Sequence, residues 1–293
     1  MTEPEKSRAL RGIMYLLLAL LIFGCMDAIV KQLRTEYPAL FIMWVRYIFQ
    51  QVAVIILLVR LGSFGLLRTT RPVLQTVRAL INVGSSFFFL TGLAYLPLAD
   101  AGALGMVSPM FVTALSVPFL GEKVGVRRWS AVIVGFIGAL IIIRPGMGVV
   151  HPGALFILAS ALCYASYQIT TRILSTTDAP ATTLFYTTFV GLLASSAAVP
   201  FAWVDAPREI WALLAFQGTM AAVGHFFLIS ALSLSPASML APFNYTSLVI
   251  LTVLGYIFFH QFPDHFTVLG ALIIVASGLY IIYRERVRRA VAT

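Results

Sequence analysis

The chain has 293 residues, of which 60% are hydrophobic and 11% are charged, and its formal net charge is +9 at pH 7. Soluble domains average about 45–50% apolar and about 25% charged residues, so this composition excludes a soluble globular protein and leaves no length for a separate soluble domain. The basic excess does not indicate nucleic-acid binding, because the cations lie in short groups between apolar runs rather than on one stripe. Composition predicts an integral membrane protein.

Apolar runs of about 20 residues, long enough to cross a bilayer as a helix, occur ten times along the chain. The first exceeds the length of a signal-peptide core and is predicted to be a retained span. The division between the eighth and ninth runs, around "SLSPAS" (233–238), is the least marked, since 226–259 contains no charge. We number the predicted spans 1 to 10, at 11–33, 38–60, 72–95, 98–120, 127–144, 152–173, 180–203, 209–233, 236–259 and 265–283.

Positive charge is distributed unequally between the two sides of these spans. Fourteen lysines and arginines fall on the side that carries both termini and four on the other, while Arg46 and Arg78 lie inside spans. Cytoplasmic segments carry the excess of such residues, so both termini are predicted to be cytoplasmic. We therefore expect a multi-pass protein of the inner (plasma) membrane.

The two halves of the chain resemble each other. "FGCMDAIVK" (23–31) matches "YASYQITTR" (164–172), and "YLPLADAGAL" (95–104) matches "LSPASMLAPF" (234–243), at offsets of 141 and 139. Two repeats, 1–146 and 147–293, are predicted to form one transport domain. Five spans per repeat is an odd number, so the repeats are inverted, as in many secondary transporters. Chance similarity between apolar segments is the alternative.

The segment "GEKVGVRRWSAVIVGFIGALIIIRPG" (121–146) carries a family resemblance. Together with ten spans in two sets of five, it resembles the EamA family of the drug/metabolite transporter (DMT) superfamily, and within it the YddG-type exporters of aromatic amino acids. The resemblance implies that spans 1–4 and 6–9 surround a central cavity and that spans 5 and 10 are peripheral. Gly135 and Gly138 form a small-residue stripe that suits span 5 to close helix packing. The second repeat departs from the family pattern, with "HQFPD" (260–264) in place of Gly-Glu.

Arg46 and Asp27 are the most notable charges inside spans. At 1.5 Å rise per residue, Arg46 lies about 12 Å and Asp27 about 9 Å from the same end of two antiparallel neighbours, so they can pair. Lys31 follows Asp27 at the i,i+4 spacing. A charge at this depth needs a partner or a wet cavity. The cluster binds a substrate carboxylate, carries a coupling proton, or is a structural ion pair; the sequence leaves these three open.

Other charges favour ordinary structural interpretations. Arg78, two turns into span 3, is predicted to extend its guanidinium to the headgroups. Asp100 is predicted to cap span 4, where the helix dipole favours an acid. Glu122 and Lys123 are predicted to form a loop salt bridge. Cys25 and Cys163 fit small packing residues better than a disulfide or a metal site.

Polar and aromatic residues at mid-depth predict the wall of the cavity, since polar groups buried in lipid without partners are costly. Such a wall suits an amphiphile with an apolar ring and a zwitterionic end. With the charged pair, the predicted binding residues are Gly24, Asp27, Arg46, Ser85, Phe88, Met106, Ser108, Tyr164, Tyr167, Gln168, His225, Asn244 and Tyr245. Helix bending for gating is predicted at Gly102, Gly105, Pro109 and Pro242, with static kinks as the alternative.

These features favour a secondary transporter that exports aromatic or neutral amino acids or related metabolites by alternating access. The alternatives are an importer or exchanger of a nucleoside-like or cationic metabolite such as S-adenosylmethionine, and a passive channel. No nucleotide-binding loop, HExxH or paired-carboxylate spacing occurs, so an enzyme is not favoured. No cofactor or metal is expected. The expected partners are a small-molecule substrate, the bilayer and, as an open alternative, a coupling proton.

Overall fold

A computed structural model describes residues 3–60, 68–122, 124–144, 152–235 and 240–292. Within these ranges the regular structure is helical, and ten stretches are long and apolar enough to cross a membrane, as predicted. The predicted repeat boundary at residue 146 and the second half of the turn at 233–238 lie outside them. The α-helices are α1 (Glu3–Leu33), α2 (Ala39–Arg60), α3 (Pro72–Leu93), α4 (Leu98–Gly105), α5 (Ser108–Leu120), α6 (Val126–Ile143), α7 (Pro152–Leu174), α8 (Pro180–Ala198), α9 (Arg208–Leu234), α10 (Thr246–Phe259) and α11 (His265–Ala292).

Helix packing follows the two-repeat order. Helix α3 (span 3) packs on α7 (span 6), and the equivalent helices α9 (span 8) and α1 (span 1) pack on each other. The contacts of α2 with α9 and of α3 with α8 are related in the same way. In the same way α5 packs on α7 and α10 packs on α1. Equivalent helices also pack directly on each other: α2 with α8, α4 with α10, and α6 with α11. Ten crossings place both termini at one end of the bundle, which we call the termini side; the other end is the opposite side.

Spans 4 and 9 are each interrupted. Span 4 divides into α4 and α5 at Met106 and Val107, where the Val107 N–H bonds to the Leu104 carbonyl in a tighter turn. Pro109 has no N–H to donate to Gly105, which explains why the α-helical ladder stops there. Span 9 begins with a 3-10 turn over Ala241–Tyr245 that contains Pro242. The breaks lie at the predicted prolines, and their role in gating stays a prediction.

Two left-handed residues end the equivalent helices α5 and α10. Gly121 has φ 64° and His260 has φ 52°, and the next residue's N–H bonds back to Ser116 (3.2 Å) or Gly255 (3.1 Å). The second repeat therefore keeps the turn that Gly121 makes in the first, although a non-glycine residue is disfavoured in this conformation. The sequence departure at "HQFPD" changes the side chains and not the backbone.

Glycines allow α6 and α11 to touch backbone to backbone. A Cβ at Gly138 would stand 2.8 Å from the Gly270 carbonyl oxygen, and a Cβ at Gly270 would stand 2.5 Å from that of Gly138. The Ser277 hydroxyl donates to the Ala131 carbonyl nearby. This peripheral pair closes the bundle in the way that the small-residue stripe predicts.

The closeness of α6 and α11 predicts that Gly138→Ala destabilises the protein. The added methyl group meets backbone atoms that cannot rotate away, and overpacking of this kind costs about 1–3 kcal/mol. Thermal unfolding of the purified protein in detergent measures the effect. Gly125→Ala is the matched control, because a Cβ there meets no atom within 4 Å. Equal melting temperatures for the two variants would contradict the close contact.

Candidate functional site

Three charged or titratable side chains from three helices face one internal space. Asp27 (α1), Arg46 (α2) and His225 (α9) lie deep in the bundle, yet each is only partly covered, so each borders an interior space. Arg46 acts electrostatically on both Asp27 and His225. Gly218 lets α9 approach α2 closely at Arg46, because a Cβ there would stand 3.1 Å from the Arg46 carbonyl oxygen. We call these three residues the central cluster.

Asp27 and Arg46 do not form a direct ion pair. Among the described residues Asp27 makes no hydrogen bond, the Nε of Arg46 is buried without a partner, and the Arg46 guanidinium lies 5.1 Å from the Tyr47 ring centre. Two opposite charges thus share one space and stay separate. Each is left available to a ligand.

Lys31 is not part of the central cluster, although its i,i+4 spacing from Asp27 would allow these two side chains to interact. Its Nζ donates to the carbonyl oxygens of Leu93 (3.3 Å) and Leu96 (2.5 Å), at the end of α3. Arg34 donates to Leu90 in the same way, at 3.1 Å. The end of span 1 is therefore tied to the end of span 3 on the opposite side.

A tyrosine pair in α7 lies deep in the bundle, next to Arg78. The rings of Tyr164 and Tyr167 stack with centres 6.0 Å apart, and Tyr164 is 45% exposed although it lies deep in the bundle. A ring exposed at that depth faces the cavity and not the lipid. The pair offers a flat surface for an aromatic group.

A cavity of about 280 Å³ on the termini side gathers further predicted residues. Gln168 of α7 reaches Ser108 of α5, Nε2 to Oγ 3.5 Å. We call this space the termini-side cavity; the predicted site and gating residues on its wall are Met106, Pro109, Gln168, Asn244 and Tyr245. The structure thus brings together residues from both repeats, such as Ser108 and Gln168, which lie 60 positions apart.

Three other predicted residues lie in helix contacts. Ser85 is buried between α3 and α7, where its hydroxyl donates to the Ser160 carbonyl at 3.1 Å. Phe88 stacks on Phe156 across the same contact. Gly24 lets α1 approach α10, since a Cβ there would stand 2.6 Å from Ile250. We leave these three out of the proposed site, because the structure places them in packing contacts.

The interpretation of Arg78 as a residue reaching the headgroups is wrong. Arg78 is fully buried and donates to the Thr183 carbonyl (2.6 Å) and to the hydroxyls of Thr187 (2.5 Å) and Thr171 (3.3 Å). Its guanidinium also lies 5.0 Å from the Tyr167 ring centre. The side chain thus joins spans 3, 6 and 7 and supports the tyrosine pair.

Asp178 extends this network at the termini side. It accepts hydrogen bonds from Thr69 (2.5 Å) and Gln75 (2.6 Å), and Gln75 also accepts one from Arg78. Burial raises the pKa of Asp178, but the hydrogen bonds from Thr69, Gln75 and Thr177 outweigh burial and lower the pKa below its usual value. The carboxylate therefore stays charged near neutral pH and ties the loop before α8 to α3.

Asp100 lies in the first turn of α4 as predicted, but it does not cap the helix. Its carboxylate lies near Thr267 of span 10, and its Oδ1 is buried without a hydrogen-bond partner. Nearby, Asp264 pairs with Arg144 and accepts the Thr267 N–H at 2.8 Å. Asp100 therefore belongs to a contact between spans 4 and 10, which explains the absent cap.

Glu122 was predicted to form a salt bridge within its loop, and it pairs instead with Arg172 of α7 at 2.9 Å. Lys123, its predicted partner, lies outside the described residues. The Glu122–Arg172 pair sits on the wall of the termini-side cavity and joins the end of span 6 to the turn after span 4.

Comparison with known proteins identifies the family to which the chain belongs. Residues 10–144 and 151–284 each match the EamA-like transporter family, so the chain belongs to this family of DMT-type membrane transporters. A solved crystal structure with 16% sequence identity matches 97% of this chain and 99% of that chain with a TM-score of 0.63, which supports the fold.

Relatives of known activity are similar over nearly their whole length. The chain is 29% identical to an S-adenosylmethionine uptake transporter of Rickettsia prowazekii and 31% identical to a riboflavin transporter of Vibrio cholerae, in both cases over 94% of each chain. It is 30% identical to a pseudopaline exporter of Pseudomonas aeruginosa over 91% of this chain and 94% of the other. These relatives are all transporters, and they include both uptake and export proteins.

Proposed function

We propose that this chain transports a zwitterionic metabolite that also carries an aromatic ring. The separation of Asp27 and Arg46 carries the proposal: the two opposite charges border one interior space and do not pair with each other. A charge left unpaired at such depth is costly, so a ligand with an ammonium and a carboxylate group would satisfy both residues at once.

The ring of such a substrate would lie on Tyr164 and Tyr167. These rings already stack on each other and are partly exposed to the interior, and aromatic pairs of this kind contribute about 0.5–1.5 kcal/mol beyond their buried area. The Arg78 guanidinium forms a cation–π contact with the Tyr167 ring and so fixes its position. Ring and zwitterion would then be recognised by adjacent parts of one cavity.

S-adenosylmethionine, taken up into the cell, is our first candidate substrate. It combines a purine ring, an amino-acid end and a sulfonium cation, and the Rickettsia relatives are named as its uptake transporters. Aromatic amino-acid export, the YddG-type function favoured by the sequence, is the second candidate, because phenylalanine offers the same zwitterion with a smaller ring for the tyrosine pair. Met106, Ser108, Gln168, Asn244 and Tyr245 would line the route toward the termini side.

Counterflow into proteoliposomes tests the proposal. Radiolabelled S-adenosylmethionine is placed outside, and unlabelled S-adenosylmethionine, phenylalanine, riboflavin or buffer is placed inside. We expect saturable uptake that internal S-adenosylmethionine stimulates several-fold over buffer. Stimulation by internal phenylalanine, with labelled phenylalanine also taken up, would favour the second candidate. Uptake no greater than in empty liposomes for both labels, with the protein shown to be folded, would overturn the proposed substrate class.

A further inference from the structure

Arg128, near the start of α6, is a buried cation that the proposed site does not use. Only 9% of it is exposed, and its Nε is buried without a hydrogen-bond partner. Within the part of the chain that the structure describes, its side chain forms no ion pair or hydrogen bond. Its neighbour Arg127 is exposed. A buried guanidinium without a counter-ion is expected to bind one.

Arg128 lines the termini-side cavity. The other charged residues on that wall, Glu122 and Arg172, already pair with each other at 2.9 Å. Two arginines and one glutamate leave the described wall with one net positive charge, and that charge is on Arg128. Tyr245 also lines the wall, but its hydroxyl is buried against Gly278 of α11.

We propose that the termini-side cavity is an anion-binding site in which the Arg128 guanidinium holds a carboxylate or phosphate group. A planar guanidinium presents two parallel N–H donors that match the two oxygens of such a group. The site includes span 5, which was expected to be peripheral and not part of a binding wall. The cavity, about 280 Å³ in volume, can take a group of this size together with water.

Two sources of the anion fit the position. Met106, Gln168 and Asn244 connect the cavity with the proposed substrate route, so the substrate's carboxylate could bind there after leaving Arg46; this use rests on the proposed function. Ile281 and Ile282 of α11 also line the cavity on the termini side, so a phospholipid headgroup at that end of the bundle could supply a phosphate. The shared chemistry is an anionic oxygen pair on Arg128.

The test compares Arg128→Gln with Arg127→Gln, a matched control that removes the same charge from the adjacent, exposed position. Melting temperatures of the full purified chain are measured against added inorganic phosphate at constant ionic strength. The same measurement is made with S-adenosylmethionine and with its decarboxylated derivative, and in nanodiscs of phosphatidylglycerol or phosphatidylcholine. Arg128→Lys keeps the positive charge but lacks the planar guanidinium, so it replaces Arg128→Gln in this comparison if Arg128→Gln does not fold.

We expect phosphate to stabilise the wild type and Arg127→Gln, with the apparent affinity at least about tenfold weaker in Arg128→Gln and several-fold weaker in Arg128→Lys. A preference for the carboxylated ligand that Arg128→Gln loses would identify the substrate as the source of the anion. A preference for phosphatidylglycerol that it loses would identify the lipid. Either result supports the site.

Equal responses of Arg128→Gln and Arg127→Gln to every anion would overturn the anion site. The proposed function can fail separately: if the wild type binds neither S-adenosylmethionine nor phenylalanine while the phosphate response still depends on Arg128, the site stands and the substrate assignment falls.

Discussion

Arg46→Gln is expected to lower the kcat/KM of transport roughly 10- to 100-fold while leaving the fold intact. The loss of a hydrogen bond to a charged group costs about 1.5–3 kcal/mol. Among the described residues the Arg46 guanidinium makes no hydrogen bond or ion pair, only a contact with the Tyr47 ring, so the helix pair should stay folded without it. Asp27→Asn is expected to have an effect of similar size on a substrate that carries a positive charge. Initial rates in proteoliposomes measure both effects.

Two controls separate this prediction from a general effect of charge. Arg60→Gln removes an exposed cation from the end of the same helix and should leave transport unchanged. Melting temperatures of Arg46→Gln and Asp27→Asn should stay near that of the wild type. A large fall in both melting temperatures would instead assign the cluster a structural role. If Asp27→Asn retained transport with an unchanged pH dependence, Asp27 would carry no coupling proton.

Arg78→Ala is expected to destabilise the protein by about 3 kcal/mol or more. Removal of the guanidinium leaves the buried Gln75 Oε1 without its partner, which costs about 1–3 kcal/mol. It also removes a donor from Thr183 and Thr187, which keep only the bond between them, and leaves a cavity in the interior that adds to the cost. The hydrogen bonds that join span 3 to spans 6 and 7 through Arg78 are then lost, and so is the cation–π contact of Arg78 with the Tyr167 ring.

Thermal unfolding in detergent measures the Arg78 effect, with Arg71→Gln as the control because Arg71 is an exposed cation at the start of the same helix. Arg78→Lys keeps the charge but lacks the planar guanidinium that reaches four hydrogen-bond partners, so its melting temperature should fall between those of the wild type and Arg78→Ala. The same shift in melting temperature for Arg78→Ala and Arg71→Gln would show that the buried network contributes little.

The sequence contained enough information for the membrane fold. Span length and hydropathy depend on local composition, which is why the ten spans were predicted within a few residues of the helices observed. The repeat was visible in short motifs such as those ending at Lys31 and Arg172, which lie at the ends of the equivalent helices α1 and α7.

The site was less predictable, because hydropathy does not tell which face of a helix a residue occupies. Gln168, Asn244 and Tyr245 were found through their polarity at mid-depth, and they border one cavity. Ser85 is equally polar, but its hydroxyl is used in a contact between α3 and α7.

Two arginines have contacts that the sequence alone did not predict. Arg78 is bound by threonines about 100 positions away, and Arg128 stands in a span whose sequence reads as lipid-facing. A signal did exist for Arg78, since Thr183 and Thr187 lie one turn apart on the same face of α8. Only the three-dimensional packing shows which helix that face contacts.

The most direct test of the account combines a variant with a substrate analogue. Binding of S-adenosylmethionine and of its decarboxylated derivative, or of phenylalanine and phenethylamine if the counterflow assay favours that pair, is measured by titration for the wild type and for Arg46→Gln. If Arg46 holds the carboxylate, the loss of that group weakens binding to the wild type about tenfold or more and has little effect on the variant. The same loss of affinity in both proteins would contradict the assignment of Asp27 and Arg46 as the receptor for a zwitterion.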